Sequence, residues 1–275
     1  MKRMLSILAA SVAIAVFRTY VILTSVEQQT GFYITGAKAP LWFNAALIVM
    51  LAAVALVCFV WVRDRKVRTV VRPPKTAAIV TYAVVAAGFF VAAVAPLFHA
   101  RTGPLGVTSW VTAVLALLSA FCFVLYIPSF ATGKNPGGLC YFTIAPTAWA
   151  AFTLFVTFLN FTTVATISEY LLDTAALSFL VLFFYYDGVA KADLPNSNPL
   201  LATAFGATFF ICASSVPKLI CQLFFQERPI FVEPFGLQHL VLVALLPYLL
   251  TTVASVRRVP VEQPDEAEPE APAGE

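Results

Sequence analysis

The sequence predicts an all-α fold: a polytopic bundle of about eight transmembrane helices with both termini cytoplasmic. Three observations carry that prediction. Hydrophobic residues make up 60% of the chain and charged residues 11%, against about 25% charged in a soluble domain. Apolar stretches of about 20 residues, the length that crosses a bilayer core, recur from end to end. They are apolar nearly all round instead of two-faced, so they call for a surrounding medium that is itself apolar.

The first stretch has two readings. Met1-Lys2-Arg3, the apolar run Met4–Phe17 and Ala13-Ile14-Ala15 fit a signal peptide with a small-residue cleavage site. The run resumes after Arg18 and continues to Thr24, which gives a full uncleaved crossing, the reading adopted here. Span two is Leu41–Val62, with Trp42 and Trp61 at its ends, about 28 Å apart at the helical rise and suited to an aromatic belt at each interface. Span three is Thr76–Phe98, span four Val107–Ile127, and span five begins at Thr143 or Pro146 and ends at Thr163. Span six is Ile167–Tyr186, span seven Leu200–Phe225 and span eight Leu237–Val256. Residues 1–258 form one transmembrane helical domain. Residues 259–275, rich in Pro, Glu and Ala and poor in large apolar side chains, read as a disordered acidic cytoplasmic tail.

Lys and Arg in the short connections set the orientation. Arg63, Arg65, Lys66, Arg68, Arg72 and Lys75 follow span two, and Lys2, Arg3, Lys134, Lys191, Arg257 and Arg258 share their side if there are eight spans. The opposite side receives only Lys38, Arg101 and Arg228. The plasma membrane is the expected location, with the bilayer as partner. The 63–75 basic loop is suited to anionic lipid headgroups, although orientation alone also accounts for its charge.

Charged residues inside spans are costly and count as functional candidates by default. Arg18 in span one, Asp173 in span six and Lys218 in span seven lie at matching depths, about 10 Å from the outer ends of their helices, and Glu169 sits one turn above Asp173 on the same face. Two cations and two anions would balance one another in a low-dielectric layer. Each also has a plainer reading. Thr166-x-x-Glu169 fits a capping box, Arg18 and Lys218 are long enough to snorkel outward along lipid, and the set can be a structural ion-pair cluster. Asp173 is too far into its helix to cap it. Ser214-Ser215-Val216-Pro217 precedes Lys218, and Pro217 leaves one helical carbonyl without its donor, which hydroxyls or water can satisfy. Asn160, Thr162, Thr163 and His239 fall near the same rim, and Ala202-x-x-x-Gly206 reads as a close-packing spacing.

Catalytic signatures are missing from the sequence: no zinc-protease helix motif, no phosphate-binding glycine loop and no nucleophile elbow. Residues 132–138 are glycine-rich but read as a turn. The five cysteines, Cys58, Cys122, Cys140, Cys212 and Cys221, have no metal-ligand spacing and suit apolar packing. His99 and His239 are too isolated for a metal site. No cofactor and no nucleic acid is expected.

Thr30-Gly31-Phe32-Tyr33, Ser168-Glu169-Tyr170-Leu171-Leu172-Asp173 and Ser215-Val216-Pro217-Lys218, in this order along the chain, resemble a group of uncharacterised bacterial multi-pass membrane proteins of the anaerobic Gram-positive type. The resemblance implies a bacterial cell-membrane setting and supplies no activity. From the residues themselves, the expected function is that of a small-solute transporter or membrane sensor with an outward-facing charged pocket. Arg18 and Lys218 would hold an anionic group, while Asp173 and Glu169 balance them or accept a proton or an amine. The alternative is a non-catalytic structural or partner-binding membrane protein whose intramembrane charges are packing ion pairs.

Overall fold

Residues 2–26, 33–34, 36–62, 67–71, 73–99, 106–132, 136–161, 167–192, 194, 199–224 and 236–260 are described by the computed structural model. They form eight α-helices: α1 Lys2–Ser25, α2 Ala39–Val62, α3 Lys75–His99, α4 Val107–Thr132, α5 Ile144–Phe161, α6 Ile167–Lys191, α7 Leu200–Phe224 and α8 Gly236–Ser255. A 3-10 segment, Pro136–Thr143, leads into α5. Glycine and proline mark several starts. The Gly106 carbonyl accepts from the amides of Ser109 and Trp110, the Pro74 carbonyl from Ala78, and the Pro199 carbonyl from Thr203. These residues close the first turns of α4, α3 and α7 from positions outside the helix.

Six of these helices are long and apolar enough to cross a membrane: Lys75–Pro96, Val107–Ser129, Gly138–Leu159, Leu171–Lys191, Leu200–Cys221 and Leu237–Ser255. α1 and α2 add shorter described apolar stretches, Ala9–Ser25 and Ala39–Ala53. Helices α3 to α8 pack in sequence order, and α8 returns to α3 to close a ring, while α1 and α2 lie against α7. Covered on both sides, α7 has 89% of its span buried, against 33–44% for the other five. The outer surface is apolar: Phe90, Leu117, Phe121, Phe155 and Leu182 are all exposed. Such a belt is a liability in water and the expected surface in lipid.

Small residues let the helices meet. A Cβ on Gly206 would strike the Phe179 ring, and one on Gly88 would come 2.7 Å from the Ala244 Cβ. The expected Ala202-x-x-x-Gly206 spacing therefore does pack α7 against α6. Inside the ring an aromatic column runs along the axis. Trp149 meets Phe89 edge-on at 4.9 Å, Phe89 stacks on Phe123 at 5.7 Å, and Phe123 meets Tyr248 at 5.6 Å. Rings that large dominate a core and favour edge-to-face or offset contacts.

Two short strands, β1 Val67–Val71 and β2 Val256–Pro260, pair antiparallel with Val67 opposite Pro260 and Val71 opposite Val256. The sequence reading had no strand here. Valines flank Arg68-Thr69 in β1 and Arg257-Arg258 in β2, and β-branched residues suit a pleated pair. The ribbon places the chain after α2 and the chain after α8 at one end of the bundle, here the ribbon end; the other is the far end. It also carries Val259 and Pro260, which the sequence reading gave to the tail; the remainder of that tail, 261–275, lies outside the described residues. Two further boundaries move: α4 continues past Ile127 to Thr132 and α6 past Tyr186 to Lys191.

Candidate functional site

Asp173 lies two turns into α6 and Lys218 near the last turns of α7, so helices running in opposite directions bring them to the same level. Lys218 Nζ donates to Asp173 Oδ2 at 2.5 Å. The Asp173 residue is 4% exposed, and the Lys218 side chain is 11% exposed. In so dry a setting each charge needs the other, and removing either would strand its partner. Lys218 therefore does not snorkel to the lipid interface.

The pair sits in a wider polar layer. One turn before Lys218, Ser214 and Ser215 are buried and their hydroxyls lie 3.2 Å apart. Ser215 Oγ shares a hydrogen bond with His239 Nδ1 at 3.1 Å, which links α7 to the first turns of α8. His239 thus joins the layer as a partner of Ser215. The two serines lie within the turn before Pro217, and their described side-chain bonds run to each other and to His239. Asp173 Oδ1 is buried and has no hydrogen-bond partner among the described residues.

Arg18 is also at the far end and fully enclosed, at 1% exposure, which rules out snorkelling for it too. Its described partners are different. Nη1 donates to the Tyr33 hydroxyl at 2.7 Å, and the guanidinium lies 4.7 Å from the centre of the Phe43 ring, a cation–π distance. Tyr33 gets there because the chain folds back after α1. Val26 and Tyr33 form an antiparallel bridge, the Ile34 amide donates to the Ser25 carbonyl at 2.8 Å, and Gly36 turns the chain at φ 89°. Glu169 is helical, but its side chain lies outside the described residues, as do Thr162 and Thr163 and the side chains of Asn160 and His99.

A second buried ion pair was not foreseen. Lys191 Nζ donates to Asp187 Oδ2 at 2.6 Å and to the Tyr248 hydroxyl at 3.1 Å. Tyr248 in turn donates to the same carboxylate oxygen at 2.6 Å. The ammonium lies 4.2 Å from the Tyr126 ring centre, 5.4 Å from Tyr82 and 5.6 Å from Tyr248. Three tyrosines from α3, α4 and α8 thus enclose a cation carried by α6, at the ribbon end of the aromatic column. The Tyr126 hydroxyl donates to the Leu139 carbonyl at 2.6 Å, which fixes that wall of the cage. Lys191 was counted as a loop charge because it follows the interfacial-looking Tyr185-Tyr186; the Asp187-x-x-x-Lys191 spacing was the available signal.

Among the described residues no group of His, Cys, Asp and Glu could hold a metal ion. Cys122, Cys140 and Cys212 are free thiols.

Apolar helices with a lipid-facing exterior and charges turned inward define a multi-pass membrane protein. No protein-family model, curated protein or solved structure matches the chain.

Proposed function

We propose that this is an eight-span plasma-membrane protein, with both termini cytoplasmic, that transports or senses a small polar or anionic solute taken from the outer side. The ribbon end is then cytoplasmic and the far end faces out. The basic residues of both paired strands, Arg68, Arg257 and Arg258, support that orientation, since positive charge is retained on the cytoplasmic side. The setting implied by the sequence resemblance, a bacterial cell membrane, agrees with it.

The observation that carries the reading is the buried Asp173–Lys218 pair, whose second carboxylate oxygen has no hydrogen-bond partner among the described residues. A carboxylate that has given one oxygen to lysine retains a strong acceptor for an amine or hydroxyl donor on a solute. Lys218 and Arg18 supply positive charge for an anionic group, and Glu169, four residues before Asp173 in the sequence, would add a second carboxylate to balance it. The direct contact between Asp173 and Lys218 favours the second reading, in which the pair only fixes the packing of α6 on α7.

Thermal unfolding of the purified protein with a panel of small carboxylates, amines and zwitterions separates the two. A solute that binds the native state at a hundred times its Kd adds about 2.7 kcal/mol of stability. The solute reading expects at least one panel member to stabilise the protein, and Asp173→Asn and Lys218→Met to abolish that response. No response from the entire panel, or an undiminished response in both variants, supports packing alone.

A further inference from the structure

At the far end of the helical ring, a cavity of 110 Å³ lies between the last turns of α3, the first turns of α4, the middle of α5 and the start of α8. Its polar lining comes from Thr108, Ser109, Thr112, Trp149, Thr153 and Gln238. Among the described residues Arg18, Asp173 and Lys218 are not in its walls, which separates it from the Asp173–Lys218 pair. α8 runs past both, with Gln238 in the cavity wall and the next residue, His239, on Ser215.

The cavity has a defined hydrogen-bonding character. Trp149 is 1% exposed, and its Nε1–H has no acceptor among the described residues. An indole N–H can only donate, and a buried donor left unmade costs about 1–3 kcal/mol. The threonines are the reverse. Thr112 Oγ1 already donates to the Thr108 carbonyl at 2.9 Å and Thr153 Oγ1 to the Trp149 carbonyl at 2.7 Å. Their protons are committed to backbone, so what they can offer a guest is lone pairs. Ala92, Ala113 and Val156 form apolar walls. Among the described residues no charged side chain lines the cavity, and a bare ion would meet no compensating charge from them.

We propose that this cavity is a binding site for a small neutral molecule carrying one hydrogen-bond acceptor for Trp149 and one or more donors for Thr112 and Thr153: a simple amide or alcohol. The volume admits a few heavy atoms, since a water molecule takes about 30 Å³ of liquid. Trp149 is part of the cavity wall and meets Phe89 edge-on at 4.9 Å. This site stands independently of the charged layer, and neither needs the other to be occupied.

The test uses the full chain in detergent, with Trp42, Trp61 and Trp110 changed to Phe so that emission reports Trp149 alone. Acetamide and glycerol are the neutral probes; acetate and methylammonium are the charged comparators. The neutral probes should change the emission saturably, and the charged ones should not. Thr153→Val, which keeps the shape and removes the lone pairs, should weaken binding about fivefold to tenfold, the worth of one hydrogen bond. Ala113→Leu, which fills the space, should abolish it in a protein that still unfolds cooperatively. Trp149→Phe, followed by calorimetry, should weaken acetamide binding by a similar factor. The proposal is overturned if neither neutral probe saturates, if acetate or methylammonium binds as well as acetamide, or if binding survives both Ala113→Leu and Thr153→Val. Asp173→Asn should leave the acetamide response intact, so failure here is distinct from failure of the charged-layer reading.

Discussion

Lys191 shows how strongly the surroundings of one side chain decide its meaning. With an 8%-exposed side chain, it holds its charge only because Asp187 neutralises it and three tyrosine rings surround it. Removing one partner of such a pair leaves an uncompensated buried charge and costs about 3–5 kcal/mol, whereas removing both can be nearly neutral. Lys191→Met and Asp187→Asn should each lower the unfolding temperature sharply, and the double variant should recover most of the loss. Near-additive losses in thermal unfolding would show that the two side chains do not act as a pair. Asp173 and Lys218 were legible because each interrupts an apolar run, where nothing but burial explains an ionisable group. Asp187 was not, because it follows two tyrosines at what reads as the membrane interface. Arg18 was legible as a buried cation, but its partner Tyr33 was not, since the fold-back that delivers it depends on tertiary contacts around Gly36.

At the scale of the helix, spacing of small residues translated directly into packing. Gly206 touches Phe179 because no Cβ stands between α7 and α6, and Gly88 does the same for α3 and α8. Gly206→Val should therefore destabilise the protein by about 1–3 kcal/mol, as overpacking of a close contact does. Gly138→Ala is the matched control, since a Cβ there meets nothing within 4 Å. Equal unfolding midpoints for the two variants would contradict the close α6–α7 contact. Helix existence was readable along the whole chain because a bilayer-length apolar run has few alternatives. Ends were less so: Pro128 did not stop α4, whose last turn stays exposed, and Asp187 did not stop α6, whose last turn is held by the buried Asp187–Lys191 pair. The β1–β2 ribbon escaped because each strand is five residues long and its partner lies at the other end of the sequence.

For the whole molecule, the order of neighbours was the least legible feature. Hydropathy says that helices cross; it does not say that α8 returns to α3 or that α1 and α2 cover α7. Those contacts decide which charges meet, and they bring Asp173, Lys218, Ser215 and His239 into one layer at the end opposite the ribbon. The proposed function requires that layer to be reached from outside the cell. Modification of Ser215→Cys, in a protein whose five native cysteines are changed to alanine, tests this most directly. A small, charged, membrane-impermeant thiol reagent added to intact cells should label Cys at that position, and a solute that stabilises the protein should slow the labelling. Labelling only from the cytoplasmic side, or only after the protein is unfolded, would contradict the account.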